Sequence, residues 1–140
     1  MDAYDFNDLC RQAGYLLNLD DADALRNSGG ASVDGERVGV AFLEDLDDGL
    51  TIYVDVGQPR DAYAESEVFR YLLDINLELS AQNGESFAIH RDSGHVLLRS
   101  FFSIETLTPQ YLADGICDYV ALVQELRAGP LAGLARPAGD

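Results

Sequence analysis

The stretch Glu67 to Ser80, EVFRYLLDINLELS, constrains this chain most. Laid on a helix of about 100° per residue, it places Glu67, Arg70, Asp74 and Glu78 on one narrow polar stripe. Apart from Asn76 and Ser80 the rest is apolar, in two faces. Val68, Leu72, Ile75 and Leu79 form the first, with Tyr71 at its edge; Phe69, Leu73 and Leu77 form the second. A surface helix of a globular domain ordinarily buries one stripe and wets the rest. Leaving four large apolar side chains in water forgoes roughly 1.5–3 kcal/mol each. One face can cover the chain's own sheet. The other needs a second cover, and the remaining long helical patterns have their own sheet to cover. We therefore expect a homodimer, with Val68, Tyr71, Leu72, Ile75 and Leu79 at its interface.

The flanking sequence supplies that sheet. Phe6, Leu9, Cys10, Ala13 and Leu16/Leu17 recur at helical spacing and predict a helix over 5–17. Asn27 to Gly30 breaks the periodicity. A short strand over 31–33 then meets Asp34-Gly35, a hairpin signal. Residues 37–44 carry Val38, Val40 and Phe42 on one face. Residues 50–56 alternate Leu50, Ile52, Val54 and Val56 with polar positions, the pattern of a half-buried antiparallel sheet. After the two-faced helix, Asn83-Gly84 is the stop signal. Strands follow over 85–90 and 96–101, joined at Asp92-Ser93-Gly94. Thr108 with Pro109 opens a last helix striped by Leu112, Ile116, Tyr119/Val120 and Val123, and Gly129-Pro130 ends it. The order is α-β-β-β-α-β-β-α, an α+β fold whose antiparallel sheet packs with helices. It makes one domain over 1–128, with a tail over 129–140, rich in Ala, Gly and Pro, expected to be mobile.

Charge narrows the partners. Twenty-five acidic residues face nine basic ones, all Arg, for a net charge of −16. That argues against nucleic acid and anionic membranes, and favours solubility and capture of basic partners. No apolar run reaches the ~18 residues of a membrane span. The acidic start, MDAYDFNDL, is unlike a secretory signal, so a cytoplasmic location is expected. Cys10 and Cys117 lie in separate helical patterns and read as small core residues.

Catalytic and metal readings find little support. His90 and His95 flank a turn, but no Cys or spaced carboxylate completes a zinc set. Gly84-Glu85-Ser86-Phe87-Ala88 lacks the closing Gly of a nucleophile elbow, and a strand follows it. In Asp45-Leu46-Asp47-Asp48-Gly49, Leu46 breaks a calcium-loop pattern. No phosphate-binding loop or dinucleotide fingerprint occurs. We expect no enzyme, no metal and no cofactor.

The element order, the acidity and one local pattern together resemble the class I type III secretion chaperones of the CesT/Tir-chaperone kind. That pattern is YLLDINLEL (71–79), Gly84, Phe87-Ala88-Ile89, Asp92-x-Gly94 and Val96-Leu97-Leu98, followed by an amphipathic helix. The likeness runs over residues 4–128. It implies a homodimer held largely by the second helix. It also implies a cytoplasmic chaperone role: binding the N-terminal chaperone-binding segment of a secreted effector and keeping it partly unfolded and export-competent. Strand addition to a sheet edge, with side chains in shallow apolar pockets, is the physical form such binding takes. By region, the resemblance points to Phe6, Leu9, Ala13 and Leu16 on the first helix and to Val38, Val40 and Phe42 on the second strand. Two other readings stand beside it: an acidic adaptor or inhibitor of a basic protein, and a small hydrolase using scattered carboxylates.

Overall fold

A computed structural model describes residues 3–27, 29–42, 49–82, 85–103 and 107–137. Helix α1 spans Ala3–Leu16, and a 3-10 turn follows at Ala24–Arg26. Strands β1 (Ala31–Val33), β2 (Glu36–Phe42) and β3 (Gly49–Pro59) lead to α2 (Ala62–Gln82). Then come β4 (Ser86–Ile89), β5 (Val96–Ser103), α3 (Pro109–Arg127) and a two-residue β6 (Leu134–Ala135). The sheet is antiparallel, in the order β1-β2-β3-β5-β4, with β6 paired to the end of β3.

The alternation in β3 divides the sheet. Leu50, Ile52, Val54 and Val56 are buried, and register sets them beside Val38 and Val40 of β2 and Leu98 of β5 in the core with the helices. Thr51, Tyr53 and Asp55 alternate with them and stay half-exposed. Asp34 and Gly35 both take positive φ (49° and 85°), the twist-matched geometry of a two-residue hairpin. The Thr108 hydroxyl accepts the Tyr111 N–H at 3.1 Å and opens α3, with Pro109 in its first turn.

Helix α2 begins at Ala62, directly after Asp61. Two expectations change. The residues after Gly129-Pro130 fold back: Leu131 and Leu134 are buried and β6 joins β3, so the expected mobile tail is ordered structure as far as residue 137. Turns do this, Leu131 N–H bonding to Leu126 O at 2.8 Å and Leu134 N–H to Leu131 O at 3.1 Å. Cys117, expected in the core, is exposed, whereas Cys10 is buried. The Asn83-Gly84 stop and the Asp45–Asp48 turn lie outside the described residues.

Candidate functional site

Helix α2 is two-faced as expected, and the face expected at the interface lies against the chain's own core. Val68 and Leu72 are buried in the chain's own core, with Tyr71, Ile75 and Leu79 half-buried against it. The open face carries Leu73, 75% exposed, Leu77, 78% exposed, and Tyr63, with Phe69 half-buried at its border. Asn76 lies between the two faces. Its side-chain amide donates to Phe87 O at 3.0 Å, and its Oδ1 accepts the Phe87 N–H at 2.7 Å. Phe87 is in β4, an edge strand of the sheet. One side chain therefore ties α2 to that edge and satisfies the outward backbone groups of Phe87. At the other end of the contact, Gly133 lets the folded-back chain approach Ala64 and Val68, since a Cβ there would sit 3.1–3.4 Å from both side chains. The interface expected at Val68, Tyr71, Leu72, Ile75 and Leu79 thus becomes the inner face.

The opposite edge is β1. Val33 and Glu36 close its two-residue hairpin with β2, and ladder alternation then turns the Ser32 N–H and C=O outward. Among the described residues no strand pairs with this edge. Beside it opens a cleft of about 420 Å³ lined by Leu16, Leu17, Leu19, Ser32, Val33 and Cys117, with Asn18, Asp20 and Asp34 at its rim. Leu16 is 48% exposed. The cleft exists because α1 stops at Leu16. Asn18 takes positive φ (58°), and the chain turns with Leu19 N–H bonded to Gly14 O at 3.0 Å, so three leucines gather beside the sheet edge.

Of the residues expected to contact a partner, Phe6, Leu9, Ala13, Val38 and Val40 are core. Phe6 stacks on Phe42, centroids 5.4 Å apart, and Phe42 remains half-buried. Only Leu16 and Phe42 keep appreciable access. Sequence reasoning did not single out Leu17, Leu19 and Ser32 as lining a cleft, because that cleft forms only when the end of α1 meets the β1 edge.

A larger cleft, about 760 Å³, lies between β5 and α3. Phe102 meets Tyr111 and Tyr119 edge-on at 5.6 and 6.1 Å, and the Ser100 and Tyr119 hydroxyls bond at 2.7 Å. Burial pushes the Tyr119 hydroxyl above its ordinary pKa. Asp114 and Asp118 lie at its mouth. Elsewhere, His95 is held by Asp55 at 2.8 Å. Among the described residues, no three His, Cys, Asp or Glu side chains gather as a metal set, and no helix is long and apolar enough to cross a membrane.

Comparison with known proteins bears on this geometry. The model of the Tir chaperone protein (CesT) family matches residues 11–127. Among solved structures, a chain of the ExsC–ExsE complex is 15% identical, covers 99% of this chain and 100% of its own, and superposes with a TM-score of 0.60. The Yersinia pestis type III secretion chaperone SycH, in complex with a stable fragment of YscM2, gives 20%, 86%, 98% and 0.57. The ExoT–SpcS complex from Pseudomonas aeruginosa gives 19%, 91%, 100% and 0.58. At these identities the likeness is one of fold. No match was found among curated proteins.

Proposed function

Because the chain belongs to the Tir chaperone protein (CesT) family, we propose that it is a chaperone for a type III secreted effector, binding an extended segment of that effector along β1. The observation that carries this reading is the asymmetry of the two sheet edges. At the β4 edge Asn76 takes up the outward N–H and C=O of Phe87. The β1 edge pairs with no further strand among the described residues and has beside it a mixed polar and apolar cleft to which Leu16, Leu17 and Leu19 contribute. A strand added at Ser32 gains main-chain hydrogen bonds, and its alternate side chains enter the cleft among Leu16, Leu17 and Leu19. Such capture holds a segment extended and unfolded, which is what export requires. It uses no catalytic group, in keeping with a family of non-enzymatic chaperones, and it takes place in the bacterial cytoplasm. The chaperone works as a homodimer, joined through the open face of α2.

The test uses Ser32→Pro. Proline removes the outward N–H without touching the β1–β2 ladder, and an edge strand accepts it. Binding of N-terminal effector fragments, measured by calorimetry, should weaken at least about tenfold, the scale of a lost hydrogen bond plus displaced backbone. Unchanged affinity in a folded Ser32→Pro protein would place the segment elsewhere, the β5–α3 cleft being the next surface to vary.

A further inference from the structure

Three of the nine arginines in this strongly acidic chain line a single cleft. Arg60 follows β3, Arg127 ends α3, and Arg136 follows β6. Pairing of Gln58–Pro59 with Leu134–Ala135, and a bond from Arg60 N–H to Gly133 O at 3.0 Å, draw the three segments together. The cleft measures about 430 Å³, and Leu131, Ala132, Leu134 and Ala135 complete its lining.

Arg127 is the unusual member. Its side chain is only 9% exposed. The Nε donates to both Glu36 carboxylate oxygens at 3.1 Å, and Nη2 donates to Glu36 Oε1 at 2.9 Å and Val56 O at 2.8 Å. The buried Nη1 has no hydrogen-bond partner. A buried charged donor left unsatisfied is costly, and native folds rarely leave one without a reason. Arg136 caps the arrangement loosely: Nη1 donates to Gly35 O at 3.3 Å, and Nη2 stands 3.5 Å from Glu36 Oε2. Arg60 is exposed at the rim. Asp61 beside it keeps its charge but is not part of the cleft's lining, and its carboxylate accepts the Ala64 N–H at 2.7 Å.

We propose that this cleft binds a phosphate group. Three guanidinium groups against the single Glu36 carboxylate leave a local charge of about +2, which a phosphate at −1.5 to −2 matches and a carboxylate does not. Three forks also present more donors than two carboxylate oxygens can accept. The chain's net negative charge opposes anions at long range, but physiological salt screens it beyond about 8 Å, and these contacts are shorter. Arg136, held by long bonds, is free to swing and open Nη1 to the anion.

Inorganic phosphate is titrated into the full chain at constant ionic strength, replacing chloride, while amide and arginine Nε–H resonances are followed. Saturable shifts at Arg127 Nε–H and across residues 131–136 are expected, with Arg60→Gln weakening the apparent Kd at least about tenfold. Arg60→Gln keeps the Arg60 backbone bond to Gly133, so the remaining spectrum should not change. Arg136→Gln is the second variant, expected to act in the same direction. Shifts that never saturate, equal affinity in both variants, or acetate binding as well as phosphate would each overturn the proposal. O-phosphoserine distinguishes the source: binding as tight as inorganic phosphate assigns a phosphoryl group carried on a larger molecule, and binding of inorganic phosphate alone assigns the free anion.

Discussion

Cys10 and Cys117 share a residue type and a helical setting, yet the fold gives them different chemistry. Cys10 is enclosed, and burial raises its thiol pKa from an ordinary 9.0 to about 12. Cys117 is exposed on α3, and its thiol is raised too, by partial desolvation and by Asp34, Asp114 and Asp118 nearby. Iodoacetamide at pH 8 should therefore modify Cys117 slowly in the native protein and Cys10 only after unfolding; equal rates by mass spectrometry would contradict this placement. The sign of the pH effect follows. A group whose folded pKa lies above its unfolded value binds its proton more tightly in the native state. Its stabilisation is complete below about pH 9 and is lost as pH rises toward 12. Wild type should thus lose more stability between pH 8 and 10.5 than Cys10→Ala does. Sequence reading treated the two thiols alike because helical periodicity reports a face, not the depth of its cover. The Glu36–Arg127 pair was equally illegible, since 91 residues separate its partners.

At the scale of elements, most boundaries were legible. The 3.6 and 2.0 periods, the Asp34-Gly35 turn and the Thr108-Pro109 start are local signals, and local physics decides them. The rotation of α2 was not local. Both faces are apolar, so periodicity alone does not say which turns inward, and the Asn76 contact with Phe87 accompanies the choice the fold makes. Asn76→Ala leaves the Phe87 N–H and C=O unsatisfied beneath the helix and should destabilise the fold by about 1–3 kcal/mol. Urea unfolding measures this, and faster amide exchange at Phe87 should accompany it. A loss within a few tenths of a kcal/mol would mean that water replaces the amide without penalty. β6 was missed for a related reason: two residues carry no period, and Leu131 and Leu134 resemble a loose tail until Gly133 approaches Val68 and Leu134 pairs with the end of β3.

For the whole molecule, the proposed homodimer places a second copy on the open α2 face. Light scattering should return about twice the 15.2 kDa chain mass. Leu73→Asp and Leu77→Asp should each bring it to one chain mass with the circular dichroism intact, because the charge enters only the interface. Leu72→Asp should instead unfold the chain, because Leu72 is core. A folded Leu73→Asp/Leu77→Asp dimer would move the interface off α2. Net charge acts at this scale as well. An acidic adaptor would lose its partner as salt rises, whereas the proposed strand capture at β1 should persist. The sequence alone determined the α+β class, the element order, the acidity and the existence of two apolar faces on α2, because each is written in neighbouring residues through period, turn chemistry and charge. Only the tertiary structure decided which α2 face turns inward, which sheet edge stays open, that the last segment folds back, and that Arg60, Arg127 and Arg136 share one cleft. Each of these depends on contacts between segments far apart in the chain, and no local pattern encodes such a meeting.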